Sequence, residues 1–595
     1  MESPLTQQSR PETFKPKIVQ LYENLFQTTD YAEPSEGFWR EFFLLPPDRT
    51  RLTTVLNQLS PDETLNLQIQ TQQLFARAIR EAASASSPVD SYALETLTIF
   101  LACVLKKKYT NPSSDVITVL AGLDHVDHVI SNFVTVLDGI IRNGSSFDIR
   151  LKAIKAAIAM TSGAYKTSLV SYFTHRDLFP SLMKFVQETE TPMQMFEPFV
   201  LLGLLANYNK FEFQNPYQLR LDDFVNEASI QKIAKGVGLS CGALRNGYVA
   251  VQDDSPEGWS LISTLMYFGL GVLAPGKKDK AGTPTAEEAK DLFAALVAHY
   301  AELNLLTLRI LSEDSTLCKQ LCSEESKRRV RLCRQRQPYL PLVNGDRVLV
   351  TAIFDILIDT LTHNLRRRLD VNLYSHCISI FLRLLTYLSM NKIRLTYHWS
   401  ELWRTLLSLT RFLTTYAPDL TSNPHITTLT TTLINLIAFC VSSGDTFLPD
   451  PLSYDDLFYK LVETGPIITR FRDVYNFKAS ASAGAGADSN KEVHVAAIDT
   501  LISVSTHFYT LLFVDPGQNA EAAGKSGEAA PVPANLKKNL SPREVHRIIK
   551  QGYETLSIQP PEGLGAWTRY READWKTELK RAARCAVDDA RGLVV

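Results

Sequence analysis

Apolar residues recur along almost the whole chain at the spacing of one face of an α-helix. Ile18, Leu21, Tyr22, Leu25 and Phe26 fall at i, i+3, i+4, i+7 and i+8. Val116, Val119, Leu120 and Leu123 follow the same rule, as do Leu349, Ala352, Ile353, Ile356 and Leu357. Further on stand Ile378, Phe381, Leu382 and Leu385, then Trp399, Leu402, Trp403, Leu406 and Leu409. Each set lays an apolar stripe along a helix, whereas the alternation of a half-buried strand is nearly absent. The best strand candidate, Tyr248–Val251, is too short to seed a sheet. Ser60-Pro61-Asp62-Glu63 reads as an N-cap, a proline at the first position and acids in the first turn, and Ser541-Pro542-Arg543-Glu544 repeats that pattern with Glu544 placed for a capping box. The pattern predicts an all-α chain.

Short turns rich in Pro, Asn, Asp and Ser separate the stripes, as between antiparallel neighbouring helices. No strict consensus repeat is visible. Loose helix pairs and triplets at roughly 40–47 residues favour an armadillo/HEAT-like α-solenoid of degenerate helical repeats, with disordered loops, over globular bundles. The expected organisation is a disordered N-terminus over 1–13, a helical array over 14–274, a mobile loop over 275–286 and a second array over 287–478. A low-complexity linker over 479–492, a helix over 493–514, a disordered loop over 515–540 and a terminal helical segment over 541–595 complete it.

Composition narrows the function class. The 595 residues carry 62 Lys and Arg against 64 Asp and Glu, so no global field draws the chain to nucleic acid. Eight cysteines at this length suggest no disulfide framework. The N-terminus lacks a basic and apolar leader, and no lipidation motif is present, so a cytosolic protein is expected. Leu261–Ala274 is uncharged but only 14 residues long, and Leu420–Gly444 lacks charge for 25 residues but includes Pro424 and a threonine-rich run. Both read as core helices rather than membrane spans, which need about 20 apolar residues.

Candidate chemistry is sparse. Gly238-Leu239-Ser240-Cys241-Gly242 matches the serine-hydrolase elbow, but that motif needs a strand before it, and Ile230–Lys235 reads as helix. Gly271–Lys278 approaches a phosphate-binding loop but has Lys278 where a magnesium-binding hydroxyl belongs. His125 and His128 have no third metal ligand in view and read as surface residues. Cys318 and Cys322 read as small core residues, with Cys333 beyond them. No catalytic residue, metal or cofactor is expected. The basic run Lys327, Arg328, Arg329, Arg331, Arg334 and Arg336, together with Arg366, Arg367 and Arg368, is a local concentration of charge. It suits an anionic membrane surface or an acidic protein, or is simply a solvated face. No aromatic residue interleaves with it to stack bases, which argues against RNA.

Four segments carry a resemblance. Phe14-Lys15-Pro16-Lys17-Ile18-Val19-Gln20-Leu21-Tyr22-Glu23 is followed by Phe38-Trp39-Arg40-Glu41-Phe42-Phe43-Leu44. Leu204-Leu205-Ala206-Asn207-Tyr208-Asn209-Lys210-Phe211-Glu212 continues to Asn215-Pro216-Tyr217. Arg394-Leu395-Thr396-Tyr397-His398-Trp399-Ser400-Glu401-Leu402-Trp403 stands in the C-terminal half. After it, Gly444-Asp445-Thr446-Phe447-Leu448-Pro449 leads to Ser453-Tyr454-Asp455-Asp456-Leu457-Phe458-Tyr459. In this order they resemble the armadillo-like helical domain-containing protein 3 family, from about residue 14 to 478 and again from 541. The Ala/Gly-rich insert at 479–490 and the loop at 516–535 depart from it.

That resemblance implies a non-catalytic helical-repeat adaptor, cytoplasmic and peripherally associated with the Golgi. It implies binding to the beta-type phosphatidylinositol 4-kinase and the large Golgi exchange factor for Arf GTPases, in support of phosphatidylinositol 4-phosphate supply and secretory traffic. It transfers no catalytic residue. Asn207, Tyr208, Asn215, Pro216, Tyr217, Trp399, Trp403, Gly444, Asp445, Thr446, Phe447 and Pro449 are its candidate contacts. Read from the residues alone, Gly444–Pro449 is a rigid loop ending an apolar helix.

Overall fold

The computed structural model describes residues 15–26, 34–211, 214–238, 301–330, 340–341, 343, 345–363, 369–477, 489–513, 542–555, 562–567 and 569–594. Among them every regular element is helical, and the one β-pairing is an isolated antiparallel bridge between Arg328 and Arg347. The chain is all-α and armadillo-like, as the stripes predict. Its helices fall into two compact units, Met1–Thr283 with Glu572–Val595 (unit 1) and Pro284–Arg571 (unit 2).

Unit 1 contains α1 (Lys17–Phe26), α2 (Glu36–Leu44), α3 (Arg49–Gln58), α4 (Gln68–Ala83), α5 (Val89–Val104), α6 (Val126–Asn143), α7 (Phe147–Gly163), α8 (Phe179–Glu188), α9 (Phe196–Asn207) and α10 (Pro216–Asp222), with shorter helices between them. All five apolar positions named for α1 are buried. The N-terminal signal at Ser60 is realised in full. Ser60 Oγ accepts the Glu63 N–H at 3.2 Å, and Glu63 accepts the Ser60 N–H at 2.7 Å, so two orphan donors of the helix are satisfied. One stripe falls short. Val116, Val119 and Leu120 are buried, but the helix Pro112–Leu120 stops there, and Gly122 at φ +75° turns Leu123 out to 63% exposure.

Unit 2 contains α11 (Leu349–His363), α12 (Val371–Met390), α13 (Trp399–Thr415), α14 (Ile426–Phe447), α15 (Pro451–Val474), α16 (Ser489–Phe513) and α17 (Pro542–Thr555). Helix α14 packs on α12 and α16, and α15 on α13 and α16. The stripe expected on α11 is met in part. Ala352 and Leu357 are buried, together with Val350, Phe354, Ile358 and Leu361, while Ile356 is 43% exposed. The helix also carries the buried Asp355, described below, on its inner side.

Among the described residues, three helices have the length and apolar composition of a membrane span: Val371–Met390, Ile426–Phe447 and His494–Leu512. Within unit 2 the first two are 72% and 67% buried among neighbours, and the third 39%. Threonines on α13, α14 and α15 show how polar residues enter the core of unit 2. Thr410 donates to the Leu406 carbonyl at 3.0 Å, Thr430 to that of Ile426 at 3.0 Å and Thr464 to that of Lys460 at 2.8 Å. Each hydroxyl is satisfied by its own helix.

Helix α18 (Lys576–Val594) comes last in the chain and packs on α5, α7 and α9 of unit 1.

Candidate functional site

The segments singled out in the C-terminal half meet in one aromatic knot of unit 2. Leu395 N–H bonds to the Phe447 carbonyl at 2.9 Å, which joins the turn before α13 to the end of α14. Trp399 and Trp403, one turn apart, stack at 5.6 Å, and Phe447 lies 5.5 Å from Trp399. The Trp399 indole donates to the Leu395 carbonyl at 3.0 Å and that of Trp403 to the Ser453 carbonyl at 3.3 Å. Buried indoles are thus satisfied by the backbone of the adjoining segments.

Helix α14 does not end at Gly444, as the sequence suggests, but runs through Asp445 and Thr446 to Phe447. Gly444 is required for a different reason. A Cβ there would lie 2.6 Å from the Tyr454 ring, whose hydroxyl donates to the Val441 carbonyl at 2.5 Å. Glycine permits close approach here, not a left-handed turn. Thr446 donates to Ser389 Oγ at 2.8 Å, Asp445 is exposed, and Pro449 lies half-buried in the short connection to α15.

Beside the knot sits a charged hub that the periodicity does not reveal. Asp355 is 1% exposed, and its carboxylate accepts from Tyr397 OH at 2.9 Å and Arg347 Nη1 at 2.5 Å, with His398 Nε2 at 3.0 Å. Burial alone raises a carboxyl pKa, but the hydrogen bonds from His398, Arg347 and Tyr397 prevail and hold it below the ordinary value. An aspartate–histidine pair evokes a catalytic dyad. Among the described residues, however, no serine, threonine or cysteine hydrogen-bonds His398, so the pair has no nucleophile to activate. Its work is to tie α11 to the turn before α13.

In unit 1 the Asn-Pro-Tyr segment is likewise a latch. Asn215 caps α10, its Oδ1 accepting the N–H groups of Tyr217 at 2.9 Å and Gln218 at 3.4 Å, with Pro216 in the first turn. Its Nδ2 donates to the carbonyls of Leu205 and Tyr208 at 2.8 and 3.0 Å, which uses the whole amide. Tyr217 donates to the Phe173 carbonyl at 2.6 Å and accepts the Leu178 N–H at 3.1 Å, and Tyr208 donates to the Thr167 carbonyl at 2.9 Å. Asn207 bonds back to the Gly203 carbonyl at 2.8 Å.

Two anchorages of the C-terminal tail escape sequence reading altogether. In unit 2, Arg383 (fully buried) binds Glu313 at 2.8 Å, and the same carboxylate oxygen accepts the Tyr570 N–H at 2.9 Å. Trp567 covers the Arg383 guanidinium at 5.9 Å, and Leu564 is 3% exposed. In unit 1, Lys210 binds Glu572 at 3.0 Å, and the Phe211 ring has Lys210 and Lys576 at 5.3 and 5.5 Å. Arg591 Nε donates to the Ser162 carbonyl at 3.0 Å, in the last turn of α7, and Arg49 to the Val594 carbonyl. Cations at helix C-termini satisfy orphan carbonyls and oppose the dipole.

Of the basic run, Lys327, Arg328 and Arg329 are exposed, and Lys327 pairs with Glu324. Arg331, Arg334, Arg336, Arg366, Arg367 and Arg368 lie outside the described residues, as do Ser240, Tyr248–Val251, Leu261–Ala274, Gly271–Lys278 and Cys333. Residues 227–238, which include Ile230–Lys235, are helical. His125 and His128 are exposed, while Cys318 and Cys322 are buried, and burial drives the Cys322 thiol up to about 12. Among the described residues no three metal-ligating side chains converge.

Residues 347–592 match the family model described as Armadillo-like helical domain-containing protein 3, C-terminal. Armadillo-like helical domain-containing protein 3 of Homo sapiens is 22% identical, the alignment covering 96% of this chain and 93% of the human protein. Its counterpart from Danio rerio is 23% identical over 96% and 94%. A Schizosaccharomyces pombe protein named as a UPF0588 membrane protein is 24% identical over 96% and 97%. Family model and relatives agree with the all-helical architecture: residues 347–592 match the family's C-terminal domain, and the whole chain is similar to its members.

Proposed function

We propose that the protein is a non-catalytic helical adaptor at the Golgi, which binds the beta-type phosphatidylinositol 4-kinase and the large Arf exchange factor and so supports phosphatidylinositol 4-phosphate supply and secretory traffic. The observation that carries this reading is the use made of the polar groups. Asp355 with His398, Asn215 and Tyr217 are occupied in holding helix to helix, and the metal-type and nucleophilic side chains of the described residues are either dispersed or buried in apolar surroundings. An armadillo-like stack keeps a fixed core and offers its outer side chains to partners. Purification of the full chain from its own cells, with cross-linking before lysis, tests the reading. Recovery of the kinase or the exchange factor is expected, and recovery of neither overturns it.

A second reading, a peripheral membrane tether, is favoured by the S. pombe relative's name, by three helices of span-like composition and by exposed Lys327, Arg328 and Arg329. Basic clusters gain roughly 1 kcal/mol per residue near an anionic leaflet. Vesicle flotation then rises with anionic lipid and falls with salt, and indifference to both removes this reading.

A further inference from the structure

We infer that Lys232 is a charge-operated latch that holds the helix 227–238 to unit 1, and that acylation of its ammonium opens the latch. The inference goes beyond both readings of function, and neither depends on it.

A surface helix is ordinarily held by an apolar stripe turned toward its neighbours. This one is turned the other way. Of the twelve described residues 227–238, eight are exposed, among them Ile230, Ala234 and Val237 at i, i+4 and i+7. Only Ser229 is buried, and its hydroxyl has no hydrogen-bond partner among the described residues, so the deepest side chain of the seat adds no stability. Lys232, Ile233 and Gly236 are half-buried on the same side.

What fastens the helix is Lys232. Its ammonium donates to the carbonyls of Val186, Gln187 and Thr189 at 2.9, 2.8 and 2.9 Å. Val186 and Gln187 lie in the last turn of α8 and Thr189 follows it, so these carbonyls are beyond the reach of the helix's own ladder. All three donors of the ammonium are used, at the negative end of the α8 dipole. Upstream, Phe224 packs on Phe179 at 5.6 Å, at the start of α8, and serves as a pivot. The segment therefore runs beside α8 between an aromatic pivot and a cationic latch.

Such a seat depends on one positive charge. Hydrogen bonds from an ammonium are stronger than neutral ones, and lysine is the residue type whose charge acylation removes. The bond to Gln187 lies at the exposed surface, so the amine is offered whenever the latch opens. With an acyl thioester, the Nζ lone pair forms a C–N bond to the carbonyl carbon as the C–S bond breaks. Of the two protons the ammonium loses, one leaves on the thiol and one goes to water. The acylated side chain keeps a single N–H for three carbonyls, and the helix stays open.

The test is hydrogen exchange on the full chain. Lys232→Arg keeps the charge and is expected to leave the protection of 227–238 within about twofold of wild type. Lys232→Gln is expected to speed exchange of those amides at least about tenfold, with α6 and α7 unmoved. Acetyl-lysine incorporated at position 232 should behave as the glutamine variant does. Wild-type protein incubated with acetyl-coenzyme A should react at the exposed Lys235 first, and at Lys232 at least about tenfold more slowly, through the open state. Equal protection in Lys232→Gln and wild type, or equal loss in the two variants, overturns the latch. A Lys232 that never reacts while Lys235 does overturns its acylation. Loss of protection in α6 and α7 together with 227–238 makes Lys232 a structural cap of unit 1 and also overturns the inference. Should Lys232→Gln fail to fold, the acetylated wild type decides, and protection of 227–238 equal to that of the unmodified protein overturns it.

Discussion

The tail of the chain is fastened in two places by opposite means. In unit 2 the anchor is Arg383, fully buried and shared between Glu313, the Arg309 carbonyl at 3.0 Å and the Trp567 ring. In unit 1 the turn before α18 is held by Lys210, 10% exposed, on Glu572, 44% exposed. The two contacts have the same chemistry, an ammonium or guanidinium on a carboxylate. What differs is the solvent around them. A buried pair is expensive to break because the surviving charge stays desolvated, whereas an exposed pair is replaced by water and counter-ions at little cost. The contrast teaches where each unit tolerates change. Unit 2 buries Leu564 and lays Trp567 over Arg383, while unit 1 holds 572–594 through a half-exposed acid and the stripe Val587, Ala590 and Val594.

The strongest way to break the comparison is to remove a buried partner. Arg383→Ala leaves Glu313 without its buried guanidinium, and Asp355→Ala leaves Arg347 buried without its carboxylate. Each is expected to destabilise unit 2 by about 3–5 kcal/mol in urea unfolding followed by tryptophan fluorescence. A loss below about 1 kcal/mol for both, the range of exposed pairs, would erase the distinction.

Acid sharpens it next. His376 is fully buried, and burial first, then the charges of Arg309 and Arg383, lower its pKa to about 3. Below pH 6.5 the unfolded chain binds a proton that the folded chain refuses, so stability falls as pH drops from 6.5 toward 3, by about 1.4 kcal/mol per pH unit. Asp355 adds to the loss lower down, since a depressed carboxyl stabilises above its unfolded pKa and ceases to as pH falls through the folded one. His376→Leu is expected to flatten the upper part of that slope in urea titrations between pH 7 and 4. An unchanged slope would mean the imidazole titrates as if solvated.

Gly444→Ala comes third. Its methyl meets the Tyr454 ring at 2.6 Å, an overpacking expected to cost about 1–3 kcal/mol. Tyr454→Leu should restore most of this in the double variant, which a thermal-melt cycle reads directly. Additive losses would show that the glycine acts through the backbone instead.

Helices were legible in the sequence because their cause is local. The stripe of α1, the N-cap at Ser60 and the Trp399–Leu409 face need only spacing, and all are found. Where reading went astray, the cause lay outside the local sequence. On α11 the expected stripe is met in part, and the buried Asp355 is held by the distant Arg347, Tyr397 and His398. At Gly444 glycine followed by Asp, Thr and Pro fits a helix end, while the Tyr454 ring that requires it lies one helix further on. Asn215 and Tyr217 are buried and spend their polar groups on internal hydrogen bonds, which no spacing announces. The packing of α18 was invisible for a stronger reason: its partners lie more than 400 residues apart, Arg591 against Ser162, and no periodicity spans that distance.

The smallest effect makes the most discriminating test of the comparison. Glu572→Ala removes the carboxylate that Lys210 holds at 3.0 Å. Global stability should change by less than about 1 kcal/mol, and the difference from wild type should shrink further between 50 mM and 0.5 M salt as the Debye length falls from about 14 to 4 Å. Local opening should respond more: amides of α18 are expected to exchange faster in the variant at low salt, with those of α7 unmoved. The reason is positional. The pair lies at the head of α18, while the apolar seat at Val587, Ala590 and Val594 lies toward its other end, so the clasp governs fraying from the head rather than the folding of unit 1. If Glu572→Ala instead slowed no exchange and sped none, at either salt, the clasp would be ornamental and the seat alone would hold the helix. If it melted α7 together with α18, the half-exposed carboxylate would matter to unit 1 as the buried Arg383 does to unit 2, and the contrast between the two anchorages would disappear.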